Sequence, residues 1–495
     1  VTPRSSLRAC LAGFASDPVP DEPVDSFVLD SHAAIPGSVF LAVRGAQRHG
    51  LEFLDEARGR GARMVVYEPG PGIRAPAGFP AVSVPDLRHH VGEIAARFYG
   101  NPSEHLTIDA VTGTNGKTSV AWFLTQALDR LGERTAYLGT LGAGLLGAIT
   151  PQDRTTPDPV ALQLQLAEWL KRGVTAVSLE ASSHALDQGR LAGTRITLGL
   201  FSNLTHDHLD YHGDLVRYRE AKSKLFRDFA LQGSVFNVRD PVGRDLARQL
   251  DPDRPLIRVA LEPVPAWAAD LWIDAPIEHH PDGMRFLLRD RTQEVPVTTP
   301  LWGRFNIENL LLVAGALRFR GLDFRAIGSL LEQLSPPPGR FERFQAPGRP
   351  LVVVDYAHTP DALEQALETL AQATVGELTV VFGCGGERDA QKRSIMGAIA
   401  ARHARRIVLT DDNPRGEDPE EITDAIRTGI PKAVWVRIEH DRKLAIRLAL
   451  ETADPKGAVL VAGKGHETTQ VAGGIESPHS DRMVVAELLG VEAPR

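Results

Sequence analysis

"AVTGTNGKTSVAW", Ala110 to Trp122, carries the strongest local pattern in this chain. Its end matches the phosphate-binding pattern G-x-x-x-x-G-K-[ST] at Gly116, Lys117 and Thr118. The first glycine of that pattern should stand at position 111, which is Val111, and the glycine comes late, at Gly113. The flanks support a real loop. "LTIDAV" before it alternates and is β-prone, and after Lys117 the residues Val120, Phe123, Leu124, Ala127, Leu128 and Leu131 recur at helical spacing. The segment therefore predicts strand, glycine-rich turn and helix. That geometry turns backbone N–H groups and a helix amino end toward an anion. Lys117 would reach terminal phosphates and the Thr118 hydroxyl would sit on Mg²⁺. The alternative is a glycine-rich turn with a surface lysine.

Outward from the loop, strand-like apolar runs alternate with helix-like stretches. Examples are "ARMVVYE", "VTAVSLE", "LVVVDYAH", "ELTVVFGCGG", "RRIVLTDD" and "GAVLVAGKG". Many end in Gly, Asp or His, the pattern of α/β folds whose loops after strand carboxyl ends carry function. Two breaks stand out. "RFYGNPSEHL" (97–106) precedes the loop, and "LSPPPGRFERFQAPGRP" (334–350) precedes another buried-type strand. They divide the chain into residues 1–105, 106–334 and 335–495, as expected for 495 residues, too many for one core.

A net charge of −8 speaks against a nucleic-acid partner, and two cysteines, Cys10 and Cys384, make no disulfide framework. No apolar run reaches membrane-spanning length, and the opening "VTPRSSLRACLAGF" lacks the long apolar core of a secretion signal. It predicts a short surface helix, and the chain is expected to act in the cytoplasm, as a monomer, with no membrane partner.

Several polar stretches carry candidate chemistry. Glu180 ends the apolar run of "VSLEASSHALDQGRL", well sited to hold Mg²⁺, or alternatively to cap a helix. "FSNLTHDHLDYHG" holds three histidines and two aspartates, which invites a zinc reading, but no cysteine supports it. "WGRFNIENLLLVAGAL" has the form G-x-F-N-x-x-N opening a buried helix.

"TGTNGKTS", with its shifted glycine, resembles the phosphate loop of the Mur ligases and their relatives, including folylpolyglutamate synthetase. The resemblance extends over nearly the whole chain. It implies a three-domain α/β enzyme: an N-terminal uridine-nucleotide-binding domain (1–105), a central P-loop ATPase-like domain with a mainly parallel sheet (106–334), and a C-terminal Rossmann-like amino-acid-binding domain (335–495). It implies ATP on Gly113, Thr114, Asn115, Gly116, Lys117, Thr118 and Ser119, with Asn306 and Asn309 beside adenine, and Arg340 and Asp355 reaching phosphates and ribose. It implies Mg²⁺ on Thr118, Glu180 and His208, and a CO₂-derived carbamate on Lys222 of "EAKSK" that binds or orients the metal. By the residues alone Lys222 reads as an ordinary helix lysine, with Lys224 as its control. His206, where the family often has arginine, receives no role.

The branch is set elsewhere. "VLDSHAAIPGSVFLAVRGAQRHG" resembles the uridine-gripping domain of the ligase that adds the third amino acid, with "DSH" (Asp30, Ser31, His32) where "DSR" is usual. Ser31, Thr155, Thr156, Ser182, Gln188 and Arg190 would hold the UDP-muramoyl peptide. "FGCGGERDAQKR", "TDDNPRGEDP" and "GKGHETTQ" resemble the same branch. Its "DNPR" run, which alone reads as a plain turn, goes with meso-diaminopimelate as the added amino acid. Arg388, Asp412, Asn413, Pro414, Arg415, Gly463 and Glu467 would line that pocket, with an arginine suited to the distal carboxylate. The implied reaction joins meso-diaminopimelate to the D-Glu of UDP-N-acetylmuramoyl-L-alanyl-D-glutamate through an acyl phosphate, with Lys117, His208 and Lys222 as the catalytic set. Alternatives are the lysine-adding version of that ligase, a folylpolyglutamate synthetase-like enzyme, or a nucleotide-binding regulator without turnover.

Overall fold

Eight strands among the described residues are buried along their whole length, as expected where helices cover both faces of a largely parallel sheet. The computed structural model describes residues 6–45, 48–262 and 269–493. Its packing divides into two units that interleave in sequence. One comprises Val1–Ala110, Leu131–Gly199 and Ala221–Gln232, and the other Val111–Arg130, Leu200–Glu220 and Gly233–Arg495.

In the first unit, β1 (Ser26–Val28), β2 (Ser38–Ala42), β3 (Met64–Tyr67) and β4 (Ala81–Ser83) form a parallel sheet in chain order. Period-2 geometry sends Val39 and Leu41 into one core, with Leu87, Val91 and Ile94 of the helix Leu87–Phe98, and Phe40 and Ala42 into another, with Leu54 and Ala57. The expected opening helix is present at Leu7–Leu11, and its Leu7, Cys10 and Leu11 are buried. Further along come β5 (Thr107–Thr112), β6 (Thr135–Gly139), β7 (Gly142–Leu145), β8 (Ala176–Glu180) and β9 (Leu198–Phe201). β6 pairs parallel with β8 and antiparallel with β7. The alternation read in "LTIDAV" does not translate into one wet face: β5 is buried from Ile108 onward, as a strand flanked on both sides must be.

In the second unit, β10 (Gly233–Asn237), β11 (Leu256–Leu261) and β12 (Leu271–His280) run parallel. β13 (Gly283–Arg289) and β14 (Glu294–Thr299) extend them as an antiparallel meander. The helix Arg304–Phe319 is apolar nearly all round and correspondingly buried. The phosphate-loop helix runs Lys117–Arg130 and buries Val120, Phe123, Leu124, Ala127 and Leu128. Leu131 falls outside it and is exposed, so the periodicity read one residue too far.

A six-stranded sheet of this unit has the order β15 (Glu342–Phe344), β16 (Leu351–Asp355), β20 (Ala458–Ala462), β17 (Leu378–Phe382), β18 (Arg406–Leu409), β19 (Trp435–Ile438). All pairs are parallel except β15–β16, so the break at 334–350 contributes an edge strand. Val353, Val380, Phe382 and Leu460 face one core, and Val352, Val354, Val381 and Val459 the other. Because β20 lies between β16 and β17, the strand order reverses there, and the loops after β16, β17, β18 and β20 open at one edge. That is where doubly wound sheets bind ligands. Helices in both units start on a repeated local signal: Asp158, Asp240, Thr359 and Asp418 each cap backbone N–H groups just before a proline.

Candidate active site

The phosphate loop of the second unit is built from β5 into the helix Lys117–Arg130. Gly113 and Gly116 have φ of 148° and 87°, a region that favours glycine. A Cβ on Gly116 would stand 2.4 Å from Asn309 Oδ1, and one on Gly113 1.9 Å from Ser202 Oγ. Both glycines are therefore required by close approach, and the late first glycine is where the chain passes Ser202. The loop is strapped to "SNLT": the Thr114 and Asn115 N–H groups donate to the Asn203 carbonyl (2.8 Å) and Oδ1 (2.9 Å), and Ser202 Oγ donates to the Asn115 carbonyl (2.6 Å). Lys117 Nζ donates to the Gly113 and Thr114 carbonyls at 2.9 and 2.8 Å, so a cation sits at the mouth of the loop. Thr118 and Ser119 are buried in the first helical turn.

Other predicted residues of this unit converge here. Arg340 donates to Thr118 Oγ1 at 3.0 Å and lies 4.2 Å over the Tyr356 ring. Asp355 accepts the Phe341 N–H (2.9 Å), and burial pushes its carboxyl up against the opposing pull of Arg340. Asn309 lies against Gly116, and Asn306 turns back to the Trp302 carbonyl (2.9 Å). Beside this helix start is a cavity of about 190 Å³ lined by Arg239, Arg304, Phe305, Glu308, Gln365 and Thr369, among others. Burial pushes the Glu308 carboxyl up to about 6. Asp361, which accepts from Asn115 Nδ2 at 2.9 Å, was not singled out by the sequence. Neither was Asp207: burial alone would raise its carboxyl, but His208, His358, Lys392 and Lys117 hold it below the usual range. His208 is held in a left-handed turn with Nε2 3.4 Å from Asp207. His206 pairs with Asp389 at 3.0 Å.

In the first unit, Glu180 ends β8 fully buried. Its Oε1 accepts from Tyr137 Oη (2.6 Å) and the Thr140 N–H (2.8 Å), and its Oε2 from Thr140 Oγ1 (3.1 Å). The helix-cap alternative is wrong, because Ser182 caps the following helix. "RTTPD" and "ASSHALDQGR" are brought together around this carboxylate. Thr156 Oγ1 donates to the Glu180 carbonyl (2.7 Å), Thr155 Oγ1 lies 3.3 Å from Thr140 Oγ1, and Arg190 joins Gln188 Oε1 to the Thr156 carbonyl. Lys222 is buried, 1% exposed, whereas Lys224 is an outer residue paired with Asp187 at 2.8 Å. Ser31 Oγ donates to Glu56 at 2.9 Å, while His32 is exposed beside Asp30 and Glu56.

The loops after β17, β18 and β20 gather the third predicted set. Asn413 donates to Glu467 (2.9 Å), and the fully buried Lys464 donates to Asn413 Oδ1 (3.0 Å) and Glu467 Oε2 (2.7 Å). A Cβ on Gly463 would lie 2.4 Å from Asp412 Oδ2. Pro414 carries the chain to Arg415, whose Nη1 donates to the Gly386 carbonyl at 2.6 Å. A Cβ on Gly385 would lie 2.9 Å from Arg415 and 3.7 Å from Arg388, so both arginines flank that glycine. Arg388 also approaches Asp210 at 3.8 Å. Lys464 went unassigned, although its three-residue spacing from Glu467 was readable in "GKGHE".

Family models match over most of this framework: the Mur ligase middle domain over residues 111–317 and the Mur ligase glutamate ligase domain over 339–465. The chain is 45% identical over 482 residues to UDP-N-acetylmuramoyl-L-alanyl-D-glutamate--2,6-diaminopimelate ligase of Alkalilimnicola ehrlichii, covering 95% of this chain and 96% of that one. It is 44% identical to the protein of the same name from Xanthomonas campestris, covering 95% and 94%. A solved structure of a ligase of that name aligns with TM-score 0.70 and 35% identity over 98% of each chain.

Proposed function

We infer that this chain, which belongs to the Mur ligase family, is the ATP-dependent ligase that adds meso-diaminopimelate to UDP-N-acetylmuramoyl-L-alanyl-D-glutamate in peptidoglycan precursor synthesis. The observation that carries this reading is the "DNPR" loop. It meets "GKGHE" through Asn413, Lys464 and Glu467, and sets Arg415 beside Gly385. An amino-acid head needs carboxylates for its ammonium and a cation for its carboxylate, and this loop cluster offers both.

In the reaction the substrate carboxylate takes the γ-phosphoryl group of ATP. The amine then attacks the acyl phosphate, and phosphate leaves with the carboxylate oxygen. Lys117 and Arg340 flank the phosphate-binding turn and offset charge building on the transferring group. Asn306 and Asn309 open the helix beside the loop. The cavity there, with Phe305 as an apolar wall and Gln365 as an amide partner, suits a purine base. Asp355 would take the ribose.

The residues assigned to a metal, Thr118, Glu180, His208 and Lys222 as its carbamate, bring hard oxygens and an imidazole. They suit Mg²⁺ better than a thiophilic metal. Mg²⁺ held by residues of this kind would supply Lewis-acid charge to the polyphosphate. The burial of Lys222, against the ion-paired Lys224, supports the carbamate at 222. Ser31, Thr155, Thr156, Ser182, Gln188 and Arg190 are assigned to the UDP-muramoyl peptide, and the chain to three domains at 1–105, 106–334 and 335–495. No helix among the described residues is long and apolar enough to cross a membrane, and we assign the enzyme to the cytoplasm as a monomer.

The test is isotopic. With ¹⁸O in the substrate carboxylate, one label appears in inorganic phosphate per ligation. Ligation without that transfer removes the acyl phosphate.

A further inference from the structure

The helix Asp481–Leu489 opens on two charged residues that the function above does not use. Asp481 is fully buried and receives a two-pronged pair from the equally buried Arg442, Nε to Oδ1 and Nη2 to Oδ2, both at 2.8 Å. His479 Nε2 adds a contact to Oδ1 at 2.9 Å. Burial alone would raise the Asp481 carboxyl, but Arg442 and His479 hold it far below its usual range. Such a buried pair contributes little net stability against well-packed apolar residues. Its other hydrogen bonds are the informative ones. Arg442 Nη1 donates to the Asp411 carbonyl (3.2 Å) and Nη2 to the Ala462 carbonyl (2.9 Å). Those carbonyls sit just before Asp412–Arg415 and Gly463–Glu467. The positive field of Arg442 also falls on Asp412 and Glu467.

The next residue works on another corner. Arg482 donates through Nη2 to Glu342 Oε1 (2.7 Å) and through Nε to Oε2. Glu342 Oε2 also accepts the Gly339 N–H at 2.8 Å, fixing the turn that presents Arg340 to Thr118.

We propose that Asp481 with Arg442, and Arg482 with Glu342, are positioning residues for the ligation. The first pair sets the amino-acid pocket and the second sets the Arg340 turn on the ATP side. This rests on the functional reading above.

The experiment is a crossed KM analysis on folded variants, with folding checked by circular dichroism and melting. Arg442→Lys and Asp481→Asn should each raise KM for meso-diaminopimelate at least tenfold and leave KM for ATP within twofold. Arg482→Gln should raise KM for ATP at least fivefold and leave KM for the amino acid within twofold. A fall in kcat with all KM values unchanged, or an equal rise in every KM, would mean a merely structural role and overturn the proposal. If Arg442→Lys does not fold, the double change Arg442→Met with Asp481→Leu removes both charges and keeps the volume. A folded double variant with wild-type KM for the amino acid would also overturn it. The Arg482→Gln arm decides independently of both. If the wild type ligates a different amino acid, the substrate reading fails, and the braces are judged on the KM for that amino acid. If it ligates none, the enzyme reading fails and Arg482→Gln is judged on ATP binding alone.

Discussion

On the function proposed above, the choice of amino acid is assigned to Arg415. Its backbone is pinned on both sides: its N–H donates to the Val471 carbonyl at 2.9 Å, and its own carbonyl accepts from the Gly473 N–H at 2.6 Å. A side-chain change there leaves the loop in place. Nη1 is spent on the Gly386 carbonyl, while Nη2 and Nε have no hydrogen-bond partner among the described residues. One edge of the guanidinium is thus fastened and the other is free to take a carboxylate in two parallel bonds. Arg415 is half-buried, so losing this charge-assisted contact should cost about 2–3 kcal/mol, the lower end of the range for a fully desolvated pair. That corresponds to about 30- to 150-fold in kcat/KM. Arg415→Ala should lose that much toward meso-diaminopimelate, and Arg415→Lys somewhat less, because it keeps the charge but not the fork. L-Lysine has the same reacting end and no distal carboxylate, so its slow turnover should change little. The assay is steady-state phosphate release with each amino acid, with KM for ATP as the internal control. If Arg415→Ala keeps kcat/KM for meso-diaminopimelate within threefold, or loses ATP affinity to the same degree, the reasoning is refuted.

Four further outcomes are expected. Lys222→Ala should be inactive and partly restored by small carboxylic acids, whereas Lys224→Ala, which breaks only a surface pair worth about 0–1 kcal/mol, should work normally; equal activity of the two in a ligation assay would remove the carbamate. Lys117→Ala should abolish ligation with an unchanged melting curve, and near-normal turnover would take the phosphate loop out of the mechanism. Gly116→Ala meets both a φ of 87° and Asn309 Oδ1 at 2.4 Å, so ATP binding by calorimetry should weaken at least tenfold; wild-type affinity would mean that the close approach is not needed. Glu308 binds its proton more tightly folded, at about 6 against 4.5 unfolded, so its contribution is most favourable below about pH 4.5 and is lost as pH rises to about 6, roughly 2 kcal/mol in all. Glu308→Gln should flatten that part of the melting-temperature profile, and an unchanged slope would contradict the burial argument.

The sequence was most legible where one local pattern met one physical requirement. The strand–turn–helix around Lys117 follows from β-propensity, two glycines and helical spacing, and each apolar run that was quoted became a strand. Less legible were contacts between segments far apart in sequence. Asp207 looks like one more acid in a histidine-rich stretch until His358 and Lys392 are packed beside it. The Tyr137 and Thr140 clamp on Glu180 likewise depends on strands that meet only in the folded sheet, and the Arg442–Asp481 pair on two helix starts far apart in sequence. Glu180 itself was ambiguous, since an acid after a strand and before a helix fits a cap equally well. Ser182 supplies the cap, which removes the second reading. Leu131 was misplaced because periodicity does not mark where a helix stops.

The most direct test of the central claim is one ligation experiment. Wild-type protein, ATP, Mg²⁺ and UDP-N-acetylmuramoyl-L-alanyl-D-glutamate are incubated with meso-diaminopimelate, L-lysine, L-ornithine and L-glutamate in parallel. The nucleotide product is weighed by mass spectrometry. The expected outcome is a tripeptide product carrying diaminopimelate, formed at least about 30-fold faster than any other, with one phosphate released per bond. A lysine product formed faster, or ATP hydrolysis with no adduct from any of the four, would contradict it.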